Sequence, residues 1–398
     1  IEVIKMYEPI IFEKPYDATD VTKRGILIEV NIADIHFGAP GVRPDIHYQI
    51  LHEQFIMKIA QIHFDILIIN GDLFDKRFPS TSDVIKYALM FVNECVNICR
   101  DKNATFIIIN GTKSHDDGQL NLLYQYLQDP TVDVRIVEST QFLMVKGSKK
   151  LCIPEEYGKG KDYYDYFLHQ CGRYDSVNLH GTVVGSVYGA NKSDLDSKRA
   201  PVFALEDFNM CYGPIIAGHV HTGGCFNTYM YYCSSPIRYK FGEEEPKGFI
   251  ILLHNLDSHE HYVHFEEITS FRYDTITVDT LVNSNFMDPN NITNYIDSLK
   301  MNGIDHIRII FNNVPEETQL VVKQVYKTDG TVVFKEPDRK KEVSVNTTEE
   351  IEKKYEKLDF LMDPKMDEYE KFVRYINYNQ GSDYITVDKL REILGGRW

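Results

Sequence analysis

Ile66-Leu67-Ile68-Ile69-Asn70-Gly71-Asp72-Leu73-Phe74-Asp75 is an apolar run that stops abruptly at a glycine and two carboxylates. The run, over residues 64–70, has the length and composition of a strand buried on both faces. Gly71 permits a sharp turn at its end. Two further segments repeat the design upstream and downstream. Residues 26–33 read as a strand and lead into Asp34-Ile35-His36, and residues 104–110 read as a strand and lead into Gly111-Thr112-Lys113-Ser114-His115-Asp116. The stretches between them, over 45–62 and 80–100, have helical spacing of apolar residues, and Ser80, Thr81 or Ser82 is placed to cap the second. A strand-helix-strand-helix-strand opening implies an α/β core with a largely parallel sheet.

After Gln119 the pattern changes. Short strands are expected at 132–137, 141–145, 176–180, 214–217, 229–233, 249–254 and 261–268, which fits a two-sheet sandwich with helices outside. Two of these strands also end in imidazole, in Asn178-Leu179-His180-Gly181 and in Gly218-His219-Val220-His221. Asp34 and His36, and again His219 and His221, stand two apart and so share one face of an extended segment. A lone histidine at the end of an apolar run is usually a core residue. The ordered company of acids and imidazoles is what points instead to a metal centre, since a two-ion site needs five to seven ligands gathered from distant parts of the chain.

That order resembles the calcineurin-like metallophosphoesterase superfamily. A fifth stretch narrows the resemblance. Ser234-Ser235-Pro236-Ile237-Arg238, then Phe241-Gly242-Glu243, then Lys247-Gly248-Phe249 is similar to a segment of the SbcD-type nucleases, the nuclease subunits that work with an SbcC-type coiled-coil ATPase in double-strand-break repair. The likeness spans roughly residues 26–255. It implies a metallophosphoesterase sandwich flanked by helices, followed by a small α+β capping domain and a helical ATPase-binding tail. The expected bounds are 1–270, 271–345 and 346–398.

The resemblance also implies a pair of Mn2+ ions, with Mg2+ as an alternative. Asp34, His36, Asp72 and His221 would surround the first ion. Asp72, His180 and His219 would surround the second, with Asp72 bridging and Asp75 as a supporting acid. The implied chemistry is phosphodiester hydrolysis, by exonuclease and endonuclease action on DNA, with His115 serving the leaving oxygen and Asp116 orienting His115. The sequence departs from the family after the third strand. The motif asparagine is missing and the loop is two residues longer, so Ser114, Asn110 or water is the expected substitute. Such departures suit a divergent branch, a viral one among the options.

Composition sets further bounds. The net charge of −16 counts against DNA as a substrate, although Asp34 and Asp72 would be neutralised by bound cations. Basic residues remain near the motifs at Lys76, Arg77, Lys192, Lys198, Arg199, Arg238 and Lys240. The seven scattered cysteines, without a C-x-x-C pair, fit reduced thiols in a cytoplasmic setting. No apolar run reaches the length of a membrane span. The chain begins at Ile1 instead of methionine, so a removed targeting segment stays open. The helix over 80–100 has apolar residues on more than one face. That fits burial in a layered core or twofold docking onto a second copy, and the resemblance implies a homodimer through this region. The charged stretch 347–398, thin in apolar residues, fits either a frayed terminus or helices docked on the ATPase.

Overall fold

In the computed structural model the described residues are 25–116, 118–186, 192–243, 245–335, 366, 370, 371, 373, 374 and 386. The expected tail over 346–398 falls almost wholly outside them. The first half runs β1 (Ile26–Ile32), α1 (Pro44–Leu51), a π-helical turn, α2 (Met57–Gln61), β2 (Ile66–Asn70), α3 (Asp83–Lys102), β3 (Thr105–Ile109), the short α4 (Lys113–Asp116) and β4 (Asp133–Val137). Then come β5 (Gln141–Val145), β6 (Ser148–Ile153), α5 (Lys161–Asp165), β7 (Ser176–His180), β8 (Thr182–Val183), β9 (Val202–Phe203), β10 (Ile215–Gly218), β11 (Gly224–Cys225) and β12 (Met230–Tyr232). The last described part holds β13 (Gly248–Asn255), β14 (His261–Glu267), β15 (Tyr273–Asp279), α6 (Pro289–Met301), β16 (His306–Asn312), α7 (Glu316–Val325) and β17 (Val332–Lys335). Compact units divide among the described residues as those up to Ile309 with Asn313–Phe334, and Ile310–Asn312 with those from Lys335 on.

The architecture is mixed α/β, of the α+β kind, built on two six-stranded sheets. One has the order β14-β13-β1-β2-β3-β4 and the other β11-β12-β10-β7-β6-β5. Strands β1 to β4 are parallel to one another, as are β6, β7, β10 and β12. The strands β1, β2 and β3 are buried on both faces, which explains their near-continuous apolar sequences. Ile28, Val30, Ile32, Leu67, Ile69, Phe106 and Ile108 pack under the helices with Phe55, Ile59, Phe91 and Val92. The opposite face, with Leu27, Ile66, Ile68, Ile107 and Ile109, packs on Val145 and Cys152 of the second sheet. Alternate residues of that second sheet, Leu151, Ile153, Val177, Leu179 and Ile215, face an outer layer with Tyr164, Leu168, Phe203 and Phe208.

Helix α3 starts at Ser82, whose hydroxyl accepts from the Ile85 amide at 3.3 Å. It ends at Asn103 in the left-handed region, φ 52°. Val84, Ile85, Ala88, Phe91, Val92, Cys95, Val96 and Cys99 are buried inside the chain's own core. The apolar residues on several faces are therefore accounted for by packing within the chain.

The layer between the sheets is not wholly apolar. Lys150 on β6 is fully buried and donates to both oxygens of Glu29 on β1, at 2.9 and 3.0 Å, and to Ser176 Oγ at 2.7 Å. Asn178 of β7 donates to Asn31 at 2.7 Å and to Asn70 at 2.9 Å, and Asn70 donates to Asn31 at 3.0 Å. Strand β6 escaped the sequence reading because its Ser-Lys-Lys opening looks like a polar turn. The buried lysine is tolerated through its paired carboxylate and hydroxyl.

Beyond Phe271, β15, β16 and β17 form a separate three-stranded sheet. Helices α6 and α7 accompany it, with Ile292, Ile296 and Val322 buried. Asp288 caps α6, accepting from the Asn290 amide at 2.9 Å, and Pro289 stands in its first turn. Among the described residues no helix is long and apolar enough to cross a membrane.

Candidate metal centre

Because the strands carrying the motifs are parallel within each sheet, their C-terminal ends lie at one edge, where loops of both sheets meet. Register fixes the levels: Asn70 lies beside Ile109, and His180 beside Gly218. The loops after β1 and β2 continue as a hydrogen-bonded pair. The amides of Asp34, His36 and Phe37 donate to the carbonyls of Gly71, Asp72 and Leu73 at 3.1, 2.9 and 2.9 Å. A Cβ on Gly71, which has φ +86°, would sit 2.1 Å from His180 Nδ1, and one on Gly111 would sit 2.1 Å from Asp72 Oδ1. Both glycines are required by close approach.

The backbone here is unusual in a second way. Asp34, His36, Asp72 and His219 all adopt positive φ, at 53°, 49°, 54° and 86°. Residues other than glycine seldom do so, and such outliers gather at functional sites. Four of the sequence's candidate ligands share this conformation, which turns their side chains back into one buried space.

Three sets of donors converge there: Asp34, His36 and His221; Asp72, His180 and His219; and His36, Asp75 and His115. In the first set the Nε2 atoms of His36 and His221 face each other at 3.0 Å. The Nδ1 of His221 lies 3.3 Å from Glu243 Oε1. Asp34 is fully buried and accepts the His219 amide at 2.9 and 3.1 Å. In the second set His180 Nδ1 donates to the Asn70 carbonyl at 2.7 Å, leaving Nε2 to face Asp72 Oδ2 at 3.3 Å. Asp72 Oδ2 is also 3.6 Å from His36 Nε2, so this one oxygen lies between the two sets.

The loop after β3 departs from expectation. Ser114 is exposed, and the Asn110 side-chain Nδ2 donates to the Gly111 carbonyl at 3.2 Å. Thr112 instead occupies the second set. Its amide donates to Asp72 Oδ1 at 2.6 Å, and its hydroxyl lies 3.3 Å from Asp72 Oδ2, Glu155 Oε2 and His180 Nε2, and 3.4 Å from His219 Nδ1. Glu155, two residues past the end of β6, is a site residue that sequence reasoning missed, because the strand that positions it was missed. The signal available was an Ile-Pro-Glu-Glu ending like the other strand ends.

His115 stands edge-on to His36, ring centres 4.7 Å apart, and its Nδ1 donates to the Asp75 carbonyl. Asp116 does not orient it. The Asp116 oxygens accept the amides of Gly111 and Phe74, at 2.8 and 3.1 Å, and so pin the two loops together. Asp75 Oδ1 lies 3.7 Å from His36 Nδ1. The Ser234–Lys247 stretch supports the first set from outside. Glu243 meets His221, Tyr239 donates to the carbonyls of Asp34 and Ile35, and Lys247 Nζ donates to the His221 carbonyl at 3.0 Å. Arg238, a candidate for substrate contact, is spent on this stretch, donating to the carbonyls of Glu243 and Glu245.

Electrostatics reflect crowding. Burial opposes charge on His180, but Asp72 first, then Asp34 and Glu155, outweigh it and raise its pKa to about 10. Burial likewise opposes charge on Asp72, yet His180 and then His36 hold its carboxyl far below the ordinary range. His36 and His219 are pushed down by burial to about 3 and about 4, so both are neutral donors at pH 7. Asp34 and Glu155 are raised by burial. Asp116 is raised to about 7 by burial and by Asp72.

The Thr112 hydroxyl lies within 3.4 Å of Asp72 Oδ2, Glu155 Oε2, His180 Nε2 and His219 Nδ1. Buried carboxylates and imidazoles so grouped suit a cation. The described residues thus define a mixed α/β chain with buried Asp and His groupings of metal-holding composition.

No family model matches the chain, and no curated protein matches it. Among solved structures, one chain is similar over 61% of this chain and 100% of its own, at 13% identity and a TM-score of 0.36. A protein of unknown function from Aquifex aeolicus is similar over 42% of this chain and 83% of its own, at 17% identity and a TM-score of 0.22. Likeness at these TM-scores carries no weight for fold or function.

Proposed function

We propose that the chain is a two-metal phosphodiesterase with the calcineurin-like sandwich fold, acting as the DNA nuclease subunit of an SbcC-type ATPase complex. One observation carries the reading: Asp72 Oδ2 lies between two buried Asp and His sets, 3.6 Å from His36 and 3.3 Å from His180. Asp34, His36 and His221 would hold one ion, His180 and His219 the other, with Asp72 shared. Two divalent ions, Mn2+ or Mg2+, supply Lewis acidity at a phosphoryl group when bound.

The chain's own residues do the rest. His180 is oriented by the Asn70 carbonyl and His221 by Glu243, which fixes the nitrogen each offers. His115 keeps Nδ1–H on the Asp75 carbonyl, so Nε2 is the nitrogen it would offer to a leaving oxygen. Exposed Lys76, Arg77 and Lys240 stand in sequence beside Asp75 and Tyr239 and would meet a phosphate backbone. The 234–249 stretch, similar to nucleases of this type, buttresses His221 and Asp34. A homodimer and an ATPase contact through the 346–398 tail belong to the same proposal.

The net charge of −16 favours a second reading, a phosphoesterase acting on a smaller substrate such as a cyclic nucleotide or phosphoprotein. A metal-free scaffold is a third. Metal content of the purified chain, followed by hydrolysis of labelled duplex DNA against a cyclic nucleotide, separates the three. Two ions bound with turnover on DNA supports the nuclease. Two ions with turnover confined to the small ester favours the second reading, and a chain that takes up no Mn2+ leaves the scaffold.

A further inference from the structure

We infer that Tyr239 is a positioning residue for the first ion, tying together the two halves of the Asp34, His36 and His221 set and so setting how tightly that set holds a cation; this rests on the two-metal reading above. The halves come from different sheets. Asp34 and His36 follow β1, and His221 follows β10. Tyr239 stands on a braced loop between them. Ile237 is buried in the core. Arg238 donates to the carbonyls of Glu243 and Glu245 at 2.9 and 3.0 Å, and its amide donates to Ser270 Oγ at 3.1 Å. From this platform the tyrosine reaches both halves. Its hydroxyl donates to the Asp34 carbonyl, at 3.1 Å, and to that of Ile35. Its amide donates to Glu243 Oε2 at 3.0 Å, and the other oxygen of that carboxylate lies 3.3 Å from His221 Nδ1. Its ring stands edge-on to the imidazoles of His36 and His221, with centres 5.6 and 5.9 Å away.

The plainer reading is a packed aromatic whose hydroxyl happens to meet two carbonyls. The place of those carbonyls argues for more. They lie in the turn where Asp34 and His36 hold φ of 53° and 49°. Such a conformation persists only where the surroundings over-determine it. Asp34 and Ile35 are both 0% exposed. Among the described residues no main-chain amide reaches either carbonyl. A buried carbonyl without a donor is costly, so the phenol hydroxyl is what lets the turn keep its shape. Without it the turn would relax, and both ligands of that turn would move with it. His221 would stay on Glu243. The set would keep its three donors and lose their spacing.

The test is Mn2+ binding to the metal-stripped full-length chain, followed by the free-ion electron paramagnetic resonance signal, with the melting temperature recorded in EDTA and in Mn2+. Wild type is expected to take up two ions. Tyr239→Phe keeps the ring and removes the hydroxyl. It is expected to bind one ion at wild-type affinity and the other at least about tenfold more weakly, the lower end of what orienting partners of metal ligands contribute. Its melting temperature should rise less than that of wild type on adding Mn2+, a difference that a purely structural role would not produce. Placing para-aminophenylalanine at position 239 restores a donor on the same ring and should recover the tight site. In a His221→Ala background, where the first set is already broken, adding Tyr239→Phe should leave the affinity of the remaining ion unchanged. Four outcomes would each overturn the assignment and leave a structural tyrosine: two ions at wild-type affinity in Tyr239→Phe, failure of that variant to fold, no rescue by the amino analogue, or a further loss of affinity with His221 already replaced. Fewer than two ions on the wild-type chain would overturn the two-metal reading itself, and this inference with it.

Discussion

The two donor sets differ in how they are built. The first draws His36 and Asp34 from one tripeptide and receives His221 from a second, and the Glu243 loop holds it from outside. The second is assembled from single residues at the ends of β2, β3, β6, β7 and β10, each brought in by strand register. Both sets need the two sheets docked, because His221 follows β10 of the second sheet, but the first takes two of its donors from a single turn. The second takes each donor from its own strand end, so it depends on more strand registers at once.

The sharpest way to break the comparison is at the atom the sets share. Asp72→Asn should abolish Mn2+-dependent hydrolysis and lower metal stoichiometry, while unfolding stays cooperative by circular dichroism. Full activity in this variant would mean that the two sets act separately. Next in size, His115→Ala should keep metal uptake and lose about 10²- to 10⁴-fold in turnover, the usual range for a general acid or base. A loss of metal instead would place His115 with His36 and Asp75 as a third set.

Smaller effects discriminate within the second set. Thr112→Asn should alter the Mn2+ concentration needed for activity by about tenfold, on the scale of altered metal partners. Ser114→Asn, at an exposed position, should leave the same titration unchanged. The reverse result would place the serine, not the threonine, at the ion.

Protons should compete with metal mainly at the second set. In EDTA the His180 charge stabilises the folded chain fully below about 6.5, the ordinary imidazole value, and that contribution is lost as pH rises towards about 10. Chemical denaturation in EDTA should therefore show stability falling over that window. Mn2+ should reverse the trend and release protons at pH 7, measurable by calorimetry in buffers of different ionisation enthalpy. The smallest effect calibrates backbone strain. Asn103 has φ 52° at the end of α3, away from the donor sets. Asn103→Gly should change stability by no more than about 1 kcal/mol, whereas Asn103→Ala should cost about 1–2 kcal/mol.

The sequence made the first set readable because a strand end, a turn and two polar residues two apart are consecutive. The alternation of β1 to β3 with α1 to α3 was readable for a similar reason: each strand is apolar on both faces and each helix has its stripe. The second set was readable only in part. His180 and His219 follow apolar runs and could be seen. Thr112 looked like filler in a long loop, so the substitute for the missing asparagine was sought at Ser114, which is exposed, or at Asn110. Glu155 was hidden because β6 opens with lysines, and an inward-facing Lys150 makes sense only once Glu29 is known to lie opposite. Pairing across sheets is not written in either strand alone.

That buried pair has a consequence for assembly. Any docking of the two sheets in a shifted register would leave a lysine or a glutamate alone in an apolar layer, at several kcal/mol each. The three interleaved asparagines add the same penalty on a smaller scale. Misaligned intermediates are thereby disfavoured as the chain collapses. A correct docking delivers His180 and Glu155 from one sheet to Asp72 and Thr112 from the other in a single event. Proofreading of the fold and construction of the second donor set are one step.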